Sequence, residues 1–367
     1  MGTLRNAFEK GEILKDASFL GRLFSSPLIR GSYKEEAPLV DIRIEGDKNE
    51  KLRLTSLVNT IAKSSPTGRE ILETAAKAGY TLGFERQSGS YGLCNPKEKR
   101  LCLNPMVRDK RLIPTLVHES RHAQQYLQGF ERRFCAYDVA TEVKLRRALE
   151  ADAQAAAAQS LLEIRAATKK NDLWNSFEND ESHITDNIKK PRLADSLESV
   201  VEKRDETMRD AFRGWFKDRS NVSSYESSYL YSRMAKTLSV QDDETKKEIF
   251  DYLTFEGSMS SEKILKMICT TGKGKCYFAD DPNALDNEEM CGVTYETQAA
   301  AKAFFREREK LTGKPADDSV ETLPKRGSIF LSCGAGNSMF SLKPVKKEEK
   351  KPLSAPLMTA LLKNRGR

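Results

Sequence analysis

The chain has 367 residues, 38% of them hydrophobic, and carries 61 Lys and Arg against 54 Asp and Glu, a net charge of +7. That length and apolar content support a buried core and two or three domains of ordinary size. No window approaches the ~18 to 20 apolar residues that span a bilayer, which argues against membrane insertion. The excess charge sits at the end: eight Lys or Arg and two Glu from Lys343 onward balance to +6 and leave +1 for the rest, so a basic groove for nucleic acid is not indicated.

The first residues mix charges into their apolar groups and lack the continuous apolar run of a signal peptide. Seven cysteines (94, 102, 135, 269, 276, 291 and 333) form an odd set without repeated spacing, which argues against a disulfide framework and for a reducing cytoplasm. The basic tail is also a plausible address for a specialised secretion system, which would make the protein an exported effector.

Residues 1–40 mix short apolar groups with Gly, Pro and Ser and are expected to form a loosely ordered arm. Alternation begins at DIRIE from Asp41, followed by a helix through LTSLVNTIAK that the SSPTG turn signal ends. REILETAAKA reads as a second helix stopping at Gly79, and TLGFER as a strand. Tyr91–Cys94 and Arg100–Asn104 flank NPKEK, a turn of hairpin length, and are expected to pair antiparallel.

A helix then runs from Asp109, a suitable N-cap, to Gly129, with Pro114 tolerable only near its first turn. A longer helix spans Asp138 to Ala167, with alanines from Ala148 to Ala158 that would let a neighbour approach closely. Helical spacing returns in ADSLESVVEKRDETMRDAFRGWF and YLYSRMAKTL. Residues 41–255 are read as one domain, 256–342 as a region of unassigned fold around one helix, TQAAAKAFFREREKL, and 343–367 as a disordered basic tail.

His118-Glu119-Ser120-Arg121-His122 is an HExxH pattern on a segment that independently reads as helix. Positions four apart share a helical face, so both imidazoles can reach one zinc ion, with Glu119 about 100° round the axis beside its water. The chain has three histidines, and two fall at ligand spacing around the required acid. Gln124 and Gln125 are expected to face a wet pocket.

A catalytic zinc needs a third protein ligand and an open position. The metzincin extension would require Gly at 125 and His at 128, where this chain has Gln125 and Gln128. An acid on the following helix is the alternative. Glu150, 28 residues after His122, is the candidate and Asp152 its rival, either as ligand or as the carboxylate orienting an imidazole. Tyr225, Tyr229 and Tyr231 are candidates by type for stabilising an oxyanion. Arg121 reads as a solvated or salt-bridging helix residue, His183 as a weaker ligand candidate in a polar stretch, and the cysteines as buried thiols.

HESRHAQQ, with the Tyr91–Asn104 hairpin before it and EADAQAAAAQ after it, resembles a zincin-type, gluzincin-like metallopeptidase family of unknown function from alphaproteobacteria, over roughly residues 60–240. The resemblance implies an α+β, zincin-like fold: a small antiparallel sheet packed on the HExxH helix and on a long alanine-rich helix, followed by further helices. It implies His118, His122 and Glu150 as zinc ligands, Glu119 as the catalytic acid and base, and a protein or peptide as substrate, bound by strand addition along Tyr91–Cys94 or Arg100–Leu103. EADAQAAAAQ is also similar to the third-ligand helix of gluzincins and of the zincins that cleave phage and stress repressors, with the departure that the aromatic usual between the alanines in the repressor-cleaving group is Ala156 here. The alternative function is a catalytically inactive zincin-fold interaction protein, against which the retention of Glu119 speaks.

Overall fold

The computed structural model describes residues 33–130, 135–188, 195–272, 274–317 and 319–326. The arm expected over 1–40 lies outside them as far as residue 32, and the tail expected over 343–367 lies wholly outside.

Strand β1 (Arg43–Ile44) leads into helix α1 (Lys48–Ser64), which opens on a reciprocal cap between Asp47 and Glu50. The SSPTG segment ends this helix and starts the next. Ser65 donates its N–H back to Ile61, while its Oγ accepts from Gly68 at the head of α2 (Pro66–Lys77), where Pro66 occupies a position that needs no N–H.

Strands β2 (Thr81–Phe84), β3 (Gly92–Asn95) and β4 (Arg100–Leu103) complete a sheet of order β1-β2-β4-β3. The β3–β4 hairpin is antiparallel, pairing Gly92 with Leu103 and Asn95 with Arg100. The other two pairings are parallel, so the sheet is mixed where an antiparallel one was expected. Helices α1 and α2 form the crossover that returns the chain in the same direction beside β1. β4 is therefore an interior strand, which removes Arg100–Leu103 as a docking edge and leaves β3.

Helix α3 (Asp109–Leu127) starts one residue earlier than an Asp109 cap would give: Arg108 is the cap and makes no side-chain cap bond. The Asp109 carboxylate is already taken by Arg53 Nε and the Tyr33 hydroxyl, each at 2.8 Å. Pro114 is the sixth residue of the helix, beyond the first turn, and denies the Lys110 carbonyl its usual partner. Gly129, at φ +93°, ends the segment in the left-handed region where glycine carries no penalty.

Helix α4 (Val139–Thr168) is capped by Asp138 and stopped by Lys169 in a left-handed conformation. After it come α5 (Asp172–Asp180), α6 (Ser182–Thr185), α7 (Leu197–Glu202), α8 (Arg204–Trp215) and α9 (Arg219–Glu226). A π-helical turn at Ser227–Tyr231 joins α9 to α10 (Ser232–Ser239), followed by α11 (Asp243–Tyr252), α12 (Ser261–Ile268), α13 (Glu288–Cys291) and α14 (Tyr295–Thr312). The architecture is α+β, mostly helical with a small sheet.

Helix α4 is the axis. Ala148, Ala151 and Ala155 to Ala158 are fully buried, and their small side chains let α3 and α8 close on it. One core cluster gathers the sheet, α1 to α4, α8 and α12; a second gathers Val139 and Val143 of α4 with Met234, Phe250, Phe304 and Phe305. Residues beyond 256 thus contribute to both. No helix among the described residues is long and apolar enough to cross a membrane.

Candidate metal centre

His118 and His122 project from one face of α3 toward Glu150 on α4. Their Nε2 atoms lie 3.0 Å apart, and Glu150 Oε2 is 3.4 Å from His118 Nε2 and 3.5 Å from His122 Nε2. The rings meet edge to face. Each of the three side chains keeps a small exposed fraction toward a cleft of about 990 Å³.

Glu119 turns toward β3 and is buried, where the Cys94 backbone N–H donates to its carboxylate. This approach depends on Gly92: a Cβ there would lie 2.6 Å from Thr115 Cγ2 and 2.8 Å from Glu119 Cγ. Burial pushes the Glu119 carboxyl above the ordinary carboxylate range, against the pull of His118 and His122. For Glu150, burial acts in the same upward direction, but His122 and His118 outweigh it and hold the group low. The converse holds for His122, where the charge of Glu150 overcomes burial and raises the imidazole. The Glu150 carboxylate thus favours a positive charge beside it, on the imidazoles that face it.

Among the described residues this is the cluster of His, Cys, Asp and Glu side chains able to hold a metal ion, with every ligand atom within 4.8 Å of the others. Residues 37–278 match the family described as "Putative metallopeptidase family (DUF6782)". The chain belongs to this family. Its description implies a metal ion and points to a hydrolase acting on proteins or peptides. No curated protein and no solved structure matches the chain.

Asp152, the rival to Glu150, lies on the opposite side of the ligands and is fully buried. Its two oxygens accept from Arg121 Nε at 2.7 Å and Nη2 at 3.1 Å, from Gln125 Nε2 at 2.7 Å and from the Tyr277 hydroxyl at 2.7 Å. It is committed to these partners and separated from the cluster. Arg121 is salt-bridging as expected but buried, not solvated. Gln124 and Gln125, expected in a wet pocket, are buried as well. Gln124 accepts from Arg121, and Gln125 spans from His122 to Asp152.

The tyrosine candidates separate. Tyr225 donates its hydroxyl to Glu150 Oε2 at 3.1 Å, and its ring lies 5.6 Å from that of Tyr229; both line the cleft. Burial, then the charge of Glu150, pushes the Tyr225 hydroxyl far above its ordinary range. Tyr231 is 38% exposed and lies outside the cleft lining. His183 sits 3.3 Å from Glu181 and 3.9 Å from Asp218, apart from the cluster. The described cysteines are free thiols, buried except for the half-buried Cys276, and Cys333 lies outside the described residues.

Sequence reasoning missed Gln125 as the partner of His122, the Cys94 N–H facing Glu119, and Glu181 on the cleft wall. Gln125 did carry a signal: it lies one helical turn beyond His122, the spacing at which α-helical side chains meet. The other two depend on contacts between distant segments.

Proposed function

We propose that this chain is a zinc-dependent metallopeptidase that hydrolyses a peptide bond of a protein substrate, with His118, His122 and Glu150 as ligands and Glu119 as general base and acid. The observation that carries the reading is the spacing of the three donor atoms. Tetrahedral zinc with bonds of about 2.0 to 2.1 Å holds its ligand atoms roughly 3.3 Å apart, and the three separations here are 3.0, 3.4 and 3.5 Å. Two imidazoles with one carboxylate make a donor set suited to zinc. The Asp152 oxygens, fully engaged elsewhere, support Glu150 as the third ligand.

Zinc, when bound, supplies Lewis acidity, polarising a carbonyl and making water acidic enough to attack near neutral pH. Glu119 accepts the proton of the attacking water and passes it to the leaving amine. Tyr225, beside Glu150, offers a hydroxyl that can turn to the developing oxyanion. β3 is the edge strand next to Glu119 and suits an extended peptide added as a further strand, apart from the Cys94 N–H that Glu119 already uses.

The test is zinc content per chain by elemental analysis, together with cleavage of a proteome-derived peptide mixture read by mass spectrometry. One zinc in the native protein, lost in His122→Ala, is the expected result. Glu119→Gln should keep the zinc and lower cleavage about 10²- to 10⁴-fold. A native protein that takes up no zinc on reconstitution would sink the proposal and return the chain to the interaction-protein reading.

A further inference from the structure

The two imidazoles of the cluster differ in what stands behind them. His118 Nδ1 is buried with no hydrogen-bond partner, whereas His122 Nδ1 lies 2.8 Å from Gln125 Oε1. The orientation of that amide is fixed from its other end. Gln125 Nε2 is 3.0 Å from the Leu149 carbonyl and 2.7 Å from Asp152 Oδ2, and both of these only accept. Nitrogen must therefore face Asp152, which leaves oxygen facing His122. Because that oxygen only accepts, His122 Nδ1 must carry the hydrogen, and in the neutral ring the Nε2 lone pair points into the cluster.

Asp152 is held in turn. Arg121 grips it with two donors and Tyr277 with a third, while Arg121 Nη2 also reaches the carbonyls of Ile268 at 2.9 Å and Thr270 at 3.0 Å. The guanidinium neutralises the carboxylate, so the charge that orients Gln125 does not reach the ring directly. An imidazole ligand commonly donates to a carboxylate, which makes it a stronger electron donor. Here a neutral amide stands in between and sets the tautomer without adding a charge.

We infer that Gln125 is a positioning residue for His122, held by an Asp152–Arg121–Tyr277 cluster that ties Ile268, Thr270 and Tyr277 to the metal centre. This rests on the proposed metal reading. It assigns a role at that centre to residues up to 155 positions from His122 in sequence, none of which is among the three proposed ligands.

The experiment compares native protein, Gln125→Leu and Tyr277→Phe by zinc competition against a chromophoric chelator, and by the visible spectrum of the cobalt(II)-substituted proteins. Gln125→Leu keeps the volume and removes the acceptor; zinc affinity should fall about 10- to 100-fold, with a changed cobalt spectrum that a purely structural role would leave alone. Tyr277→Phe loses one donor to Asp152 at the far end and should show a smaller loss in the same direction. It also decides the matter should Gln125→Leu fail to fold. Native affinity and an unchanged spectrum in either folded variant overturn the inference while leaving the metal reading intact, and a native protein that binds no zinc overturns both.

Discussion

Glu150 and Asp152 stand two residues apart on one helix and occupy opposite environments. Glu150 faces the cleft, where its charge is balanced by two imidazoles and one hydroxyl. Asp152 faces the interior with its oxygens saturated and its charge matched by Arg121. On the cleft side of the α3–α4 pair the acid meets only imidazoles and a hydroxyl and no permanently charged partner, whereas on the buried side the acid is closed by Arg121. On the proposed reading Glu150 is the carboxylate used for binding and Asp152 the one used for architecture, and they differ in whether the protein has already spent their lone pairs.

Removing each acid in turn tests that contrast most strongly. In metal-free protein, Asp152→Ala leaves the Arg121 charge buried and unpaired and should cost about 3 to 5 kcal/mol in urea unfolding, while Glu150→Ala should cost clearly less and abolish zinc retention. Equal losses would erase the distinction. Next in size is Gly92→Ala, whose Cβ would press on Thr115 and Glu119. Separating β3 from α3 should cost about 1 to 3 kcal/mol and lower cleavage more than zinc binding; unchanged stability and activity would show that the strand does not have to lie this close.

A pH-dependent effect concerns the cleft wall. Burial lifts the Glu181 carboxyl from 4.5 to about 7, with Asp218 and Asp180 adding to the rise against His118. Between those values the folded state holds more protons than the unfolded one, so this group weakens the fold as pH rises from 4.5 to 7. Glu181→Gln should therefore gain on the native protein across that window, seen as a widening difference in urea midpoint. A constant difference would mean that Glu181 is ionised throughout.

What the sequence disclosed was local. Helices α3 and α4, the β3–β4 hairpin and the HExxH face were legible because each is encoded by periodicity or a turn within one short segment. The parallel pairing of β1, β2 and β4 was not, because strands of two to four residues take their direction from the elements between them. Asp109 was read as a cap because its partners, Arg53 and Tyr33, lie 56 and 76 positions away. Gln125 was read as wet for the same reason: polarity says that a side chain needs partners and leaves open whether water supplies them. The saturation of Asp152, which favours Glu150 as the proposed third ligand, likewise depends on Tyr277, 125 residues beyond it.

The alanine run of α4 sets the substitution tolerance of this centre. Between Ala148 and Ala158 the buried side chains of α4 are mostly methyl groups with little contact to lose, yet any larger residue at the fully buried Ala151 or Ala155 would have to displace what packs on the helix, at about 1 to 3 kcal/mol, and glycine would cost up to about 1 kcal/mol in helix propensity. The stretch that carries Glu150 is confined from both directions. Variation in the family is therefore expected to accumulate on the cleft walls and loops, while the distance between the histidine helix and its acid stays fixed by residues that have no chemistry of their own.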